Sequence, residues 1–104
     1  MPVIVLIKPP PDPLITIPNV FTPNDDGVND LFRIKIEGQV QVNRLAIYSR
    51  WGQLVYETTG ITNFWDGKLK GKPLPAAAYY YIFDGINKYT SQPIIRSGSI
   101  TLLR

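Results

Sequence analysis

The stretch Val42-Asn43-Arg44-Leu45-Ala46-Ile47-Tyr48-Ser49-Arg50-Trp51-Gly52-Gln53-Leu54-Val55-Tyr56-Glu57 reads as a β-hairpin. Its first arm, residues 42–48, places Leu45 and Ile47 on one face of a period-two strand. Arg50-Trp51-Gly52 reverses the chain, and residues 53–57 return as the second arm. No stretch of the chain sustains a helical apolar period, so the hairpin sets the pattern for an all-β reading.

Downstream, residues 76–83 are β-rich through Tyr79-Tyr80-Tyr81. Helix propensity competes only at Ala76-Ala77-Ala78, and the rings that follow favour a strand. Asp84-Gly85-Ile86-Asn87 reads as a turn. Residues 88–96 return as a strand interrupted by Pro93, and residues 99–104 form a closing strand. Upstream, Leu31-Phe32-Arg33-Ile34-Lys35-Ile36 alternates, with Phe32, Ile34 and Ile36 on one face. Residues 14–17 form another strand, ended by Pro18. About seven short strands predict an immunoglobulin-like antiparallel β-sandwich over residues 14–104. Ahead of it, residues 1–13 read as an N-terminal strand followed by the stiff spacer Pro9-Pro10-Pro11-Asp12-Pro13, which offers a sheet few donors.

At 104 residues the chain is sized for one domain. Such a chain buries roughly 60–70% of its unfolded surface. Apolar content of 44% and charged content of 18% argue for a folded chain. The net charge of +3 is scattered apart from Lys68, Lys70 and Lys72, which are expected in a solvated loop. That is not the clustered footprint of a nucleic-acid binder. There is no Cys, hence no disulfide staple or thiolate metal site. There is no His, which removes the usual general base, the usual zinc ligand and any Ser-His-Asp triad. No segment is long enough to span a bilayer. Val3-Ile4-Val5-Leu6-Ile7 is too short for a signal-peptide core and follows no basic residues.

Phe21-Thr22-Pro23-Asn24-Asp25-Asp26-Gly27-Val28-Asn29-Asp30 gathers three carboxylates and two amides, with no Lys or Arg between Lys8 and Arg33. Two readings stay open. Asn24, Asp26, Asn29 and Asp30, with Asp25 as a further option, offer oxygens to a hard cation, for which Ca²⁺ is the natural candidate. Alternatively, the Asn and Asp side chains hold the turn by bonding its backbone. An EF-hand is excluded: setting Gly27 at that loop's required glycine puts Thr22 first and Arg33 last. Two tryptophans also sit beside turn glycines, at Trp51-Gly52 and Trp65-Asp66-Gly67. Their rings either pack in the core and on the sheet or, exposed, stack on a sugar face. The tyrosine run is expected to alternate between core and surface.

Residues 20–30 and 43–57, together with Trp65-Asp66-Gly67, Gly71-Lys72-Pro73-Leu74-Pro75, Tyr79-Tyr80-Tyr81 and Ile100-Thr101-Leu102-Leu103-Arg104, stand in the order of a known set of motifs. The chain resembles the gliding-motility-associated C-terminal domain, the type B sorting domain of the type IX secretion system, over roughly residues 17–104. Two departures stand out. Asp25 replaces the usual Gly, and Ala77-Ala78 replaces the usual Gly-Thr, which bears on whether Ala77 must adopt a positive φ.

The resemblance implies a non-catalytic C-terminal signal. It would direct a larger exported protein, lying N-terminal to it, through the outer-membrane translocon and its shuttle proteins. The parent would carry its own N-terminal signal, transit the periplasm and end at the cell surface or outside the cell. The expected recognition residues are Arg50, Trp51, Gly52, Leu102, Leu103 and Arg104, with the loop 22–30 as a further contributor. The rival from another class is a Ca²⁺-stabilised adhesive or carbohydrate-binding module. A glycosidase using Asp26 and Asp30 is the weakest reading, because a small sandwich gives paired carboxylates no cleft.

Overall fold

A computed structural model describes residues 12–24, 27, 30–60 and 64–104. Among these the chain is all-β and contains no helix. The described residues form nine strands: β1 (Leu14–Thr16), β2 (Val20–Phe21), β3 (Lys35–Glu37), β4 (Val40–Tyr48), β5 (Leu54–Thr58), β6 (Lys68–Leu69), β7 (Lys72–Pro73), β8 (Ala77–Asn87) and β9 (Pro93–Leu102). The expected strand at residues 1–8 and most of the proline spacer lie outside the described residues.

A five-stranded sheet, ordered β2-β9-β8-β4-β5, forms the body. The hairpin of β4 and β5 is present as the sequence predicts, with Ile47 opposite Tyr56. The sheet is mixed rather than purely antiparallel, because β2 runs parallel to the end of β9. Two small antiparallel pairs, β1 with β3 and β6 with β7, complete the architecture.

One face of the sheet carries the core. Leu45, Ile47, Val55, Tyr79, Phe83, Ile100 and Leu102 are buried there in one cluster with Phe21, Phe32, Ile34 and Trp65. The aromatic members interlock. Trp65 lies 5.2 Å from Phe21 and 5.4 Å from Tyr79 between ring centroids. The Phe32 amide donates to Trp65 O at 2.8 Å, which locks these two connecting segments together. On the opposite face Tyr80, Ile82 and Ile95 are exposed. The tyrosines therefore alternate: Tyr79 is core, Tyr80 is surface, and Tyr81 packs half-buried against the cluster.

Four further sequence expectations are corrected. Residues 84–87 are not a turn, because β8 continues through Asn87. Gly85 reads as a turn glycine, but its φ is not left-handed. It sits beside the irregularity in β4 between Val42 and Arg44, where a Cβ would lie 2.9 Å from Gln41 O. Close backbone approach, not reversal, needs glycine there. The reversal is made further on, by Asn87, whose Oδ1 accepts from the amides of Tyr89 at 2.9 Å and Thr90 at 3.3 Å. The strands expected at 88–96 and 99–104 are consequently one, β9, with Pro93 at its first residue, where a missing donor is tolerated.

The strand expected at 31–36 is shorter. Only Lys35 and Ile36 of it enter β3, and Phe32 makes an isolated bridge to Trp65. Its facing survives, with Phe32 and Ile34 buried and Arg33 and Lys35 exposed. Finally, Lys68 and Lys72 are not in an open loop but on the β6–β7 hairpin, with Lys70 at its turn in a positive-φ conformation (φ 53°).

Candidate functional site

Strand polarity brings the sequence motifs to one end of the sheet. The end of β4 pairs with the beginning of β5, and Tyr48 faces Tyr80 near the start of β8. The last residues of β9 lie between the first residues of β8 and the parallel β2, with Leu102 opposite both Ala77 and Phe21. The Arg50-Trp51-Gly52 turn, the loop after Phe21, the start of β8 and the terminal residues therefore emerge together.

Arg104 ties this end. Its Nε donates to Leu74 O at 2.7 Å, Nη2 to Gly67 O at 3.1 Å and Nη1 to Pro23 O at 3.4 Å. A guanidinium has five donors in a rigid fork, so one side chain can hold the loop after β2 and both ends of the β6–β7 hairpin. Just before it, the Leu103 amide donates to Phe21 O at 3.0 Å. Gly67 has φ +79°, and a Cβ there would press on Pro23 at 3.0 Å and on Leu102 at 3.1 Å. The Trp65-Asp66-Gly67 turn thus needs glycine for both conformation and space. Asp66 caps it, its Oδ1 accepting from the Lys68 amide at 3.0 Å. Trp65 Nε1 donates to Lys68 O at 3.2 Å.

Tyr79 closes the same knot from below, donating its hydroxyl to Pro75 O at 2.8 Å. Burial pushes its phenol above the ordinary value, and the nearby Arg104 charge pulls it partly back. Ala77, two residues earlier, is an ordinary strand residue, since Lys70 and Ser91 are the described non-glycine residues with positive φ. The replacement of Gly-Thr by Ala77-Ala78 therefore needs no strained backbone.

The expected recognition residues divide. Leu102 is fully buried and is a closing-strand residue. Leu103 is 47% exposed, and Arg104 is spent on the three carbonyls. Trp51 is 81% exposed, and the Arg50 guanidinium stacks over its ring at 4.6 Å. Ser49 shapes their turn, its Oγ accepting from the amides of Trp51 at 3.3 Å and Gln53 at 3.2 Å. The two tryptophans thus take opposite roles, Trp65 in the core and Trp51 at the surface.

Of the expected cation ligands, Asn24 and Asp30 are described, while Asp26 and Asn29 lie outside the described residues, as does Asp25. The Asp30 carboxylate accepts from the Gly27 amide at 2.7 Å and from the Asn24 amide at 3.1 Å. These two bonds are of the kind that a turn held by its own side chains makes. Among the described residues no cluster of three or more acidic, His or Cys side chains could hold a metal.

Sequence reasoning missed the partners of Arg104. They are main-chain carbonyls of Pro23, Gly67 and Leu74, and a carbonyl carries no side-chain signature. The turn residues Pro23 and Gly67 mark the places but not the convergence.

Among the described residues the fold is all-β, and its turns gather at one end of the five-stranded sheet. The CHU_C Type IX secretion signal domain family matches residues 15–102, and the chain belongs to that family. It is a secretion-signal domain, and its parent is an exported protein. No curated protein and no solved structure matches the chain. No described helix is long and apolar enough to cross a membrane.

Proposed function

We propose that the chain is a non-catalytic sorting domain, occupying residues 14–104, that is read as a folded surface by the type IX outer-membrane translocon and its shuttle proteins. The observation that carries this reading is the three-way hold of Arg104 on Pro23, Gly67 and Leu74. It joins motifs far apart in sequence into one surface, which a linear tag would not need. The parent protein passes through the periplasm and reaches the cell surface or the medium. The small β1–β3 sheet, whose Ile15 and Ile36 pack on the core, supports an immunoglobulin-like sandwich as the fold. The test is secretion of a periplasmic reporter fused to the chain, in a host with this system and in a translocon mutant. Reporter in the medium of the first host alone supports the reading; equal amounts in both refute it.

Ca²⁺ on Asn24, Asp26, Asn29 and Asp30 is a stabiliser in this proposal, not a signal. Binding to the native state alone raises the melting temperature, so an unchanged melt in millimolar Ca²⁺ ends that part. The exposure of Trp51 favours one rival, an adhesive or carbohydrate-binding module. Glycan-array binding that disappears in Trp51→Ala would establish it.

A further inference from the structure

Ala77, Ala78 and Tyr79 pair with β9, but the β8–β4 ladder starts only at Tyr80 opposite Tyr48. Beyond that point β4 has turned away into Arg50-Trp51-Gly52. Among the described strands, β8 therefore has no neighbour on that side over these residues. A groove of about 420 Å³ opens there, lined by residues 76–78, by Leu74 and by Arg50 and Trp51. Ala76, Ala77 and Ala78 line it with short side chains.

Among the described residues, Arg50 is the one charged residue lining the groove, and no carboxylate lines it. Its guanidinium makes no ion pair among the described residues and rests on the exposed Trp51 ring. Arg and Trp are the residue types that dominate binding energy once a partner covers them. A second source of positive charge roots nearby. The Leu74 amide bonds to Gly67 O at 2.9 Å and anchors the β6–β7 hairpin, whose Lys68, Lys70 and Lys72 are exposed. Asp66, at the same root, is turned onto the Lys68 amide.

We propose that this groove takes an extended acidic segment of a partner protein, which adds as a strand beside Ala77, Ala78 and Tyr79. A carboxylate meets Arg50, and an apolar side chain of the segment packs on Trp51. Main-chain bonds supply affinity in this mode, and the flanking side chains supply selectivity. The proposal rests on the sorting reading only in making the partner a component of the export machinery.

Two experiments test it. In the first, the full chain is titrated with a synthetic peptide alternating Asp and Val, with a Lys–Val counterpart and a heparin oligosaccharide as controls. The acidic peptide is expected to shift the Trp51 indole and the amides of residues 76–79. Arg50→Glu should weaken binding about tenfold or more, ~1.4 kcal/mol. Absence of these shifts, equal binding of the Lys–Val peptide, or a response to heparin alone overturns the proposal. In the second, the Arg50→Glu, Trp51→Ala double variant is fused to the reporter, with its amide spectrum confirming the fold. Export is expected to fall about tenfold; undiminished export of a folded double variant refutes the groove and leaves the sorting reading standing. If the unaltered chain is not exported, the sorting reading fails, and the peptide titration still decides the groove.

Discussion

At the scale of single residues, Arg104 and Tyr79 carry the most testable consequences. Arg104 sits at the surface, so each of its bonds competes with water and is worth less than a buried one. Arg104→Ala should cost about 1–2 kcal/mol, lowering the melting temperature by about 4–8 °C per kcal/mol in a domain of this size. Arg104→Lys keeps the charge but loses the fork, and should recover less than half of the loss. Exchange of the Leu74 amide, which bonds to Gly67 O, should quicken in both variants. Tyr79 gives the pH dependence. Its phenol is raised by burial, so the fold prefers it neutral. That preference contributes fully below the unfolded value of about 10 and is lost as pH rises through the higher folded value. Tyr56 is raised by burial in the same direction. Tyr79→Phe should therefore be less stable at neutral pH, by the bond to Pro75 O, and should lose less stability on going to alkaline pH. Thermal melts taken at neutral pH and on both sides of about pH 10 measure the two effects separately.

At the scale of elements, Gly85 decides how β8 lies against β4. A methyl group there meets Gln41 O at 2.9 Å, a main-chain atom that cannot rotate away. Gly85→Ala should destabilise by about 1–3 kcal/mol as an overpacked site. Urea unfolding reads this directly, and an unchanged midpoint would mean that the β4 irregularity yields. The same glycine explains which elements were legible in sequence. The β4–β5 hairpin could be read because its apolar alternation and its turn glycine agree. Residues 84–87 could not, because Asp-Gly normally signals reversal, and nothing local distinguishes a glycine chosen for φ from one chosen for a missing Cβ. Pro93 was misplaced for the related reason that a proline starting a strand and one interrupting it look alike. The dipeptide strand β2 had no periodicity to read, and its parallel pairing with β9 depends wholly on tertiary contact.

At the scale of the molecule, the ordered motifs identify the family, and their meeting point emerges only in three dimensions. Arg104 and Pro23 are 81 residues apart, and their bond ends on a carbonyl. If the signal is that assembled surface, export must depend on folding even where the altered residue never touches a partner. Trp65 provides the test, being 1% exposed and packed among Phe21, Tyr56 and Tyr79. Trp65→Ala opens a large cavity and should cost about 3–5 kcal/mol. That is a major fraction of the 5–15 kcal/mol typical of a whole domain. The reporter fused to this variant should be exported poorly at the normal growth temperature. Growth some degrees cooler should restore part of the export, since stability rises on cooling toward its maximum well below that temperature. Trp65→Phe keeps a ring in the site and should be exported better than Trp65→Ala at every temperature. A signal read as an unfolded tag makes the opposite demand, because the destabilised variant would expose it more. Export of Trp65→Ala at or above the level of the unaltered chain would therefore show that the machinery reads sequence rather than fold.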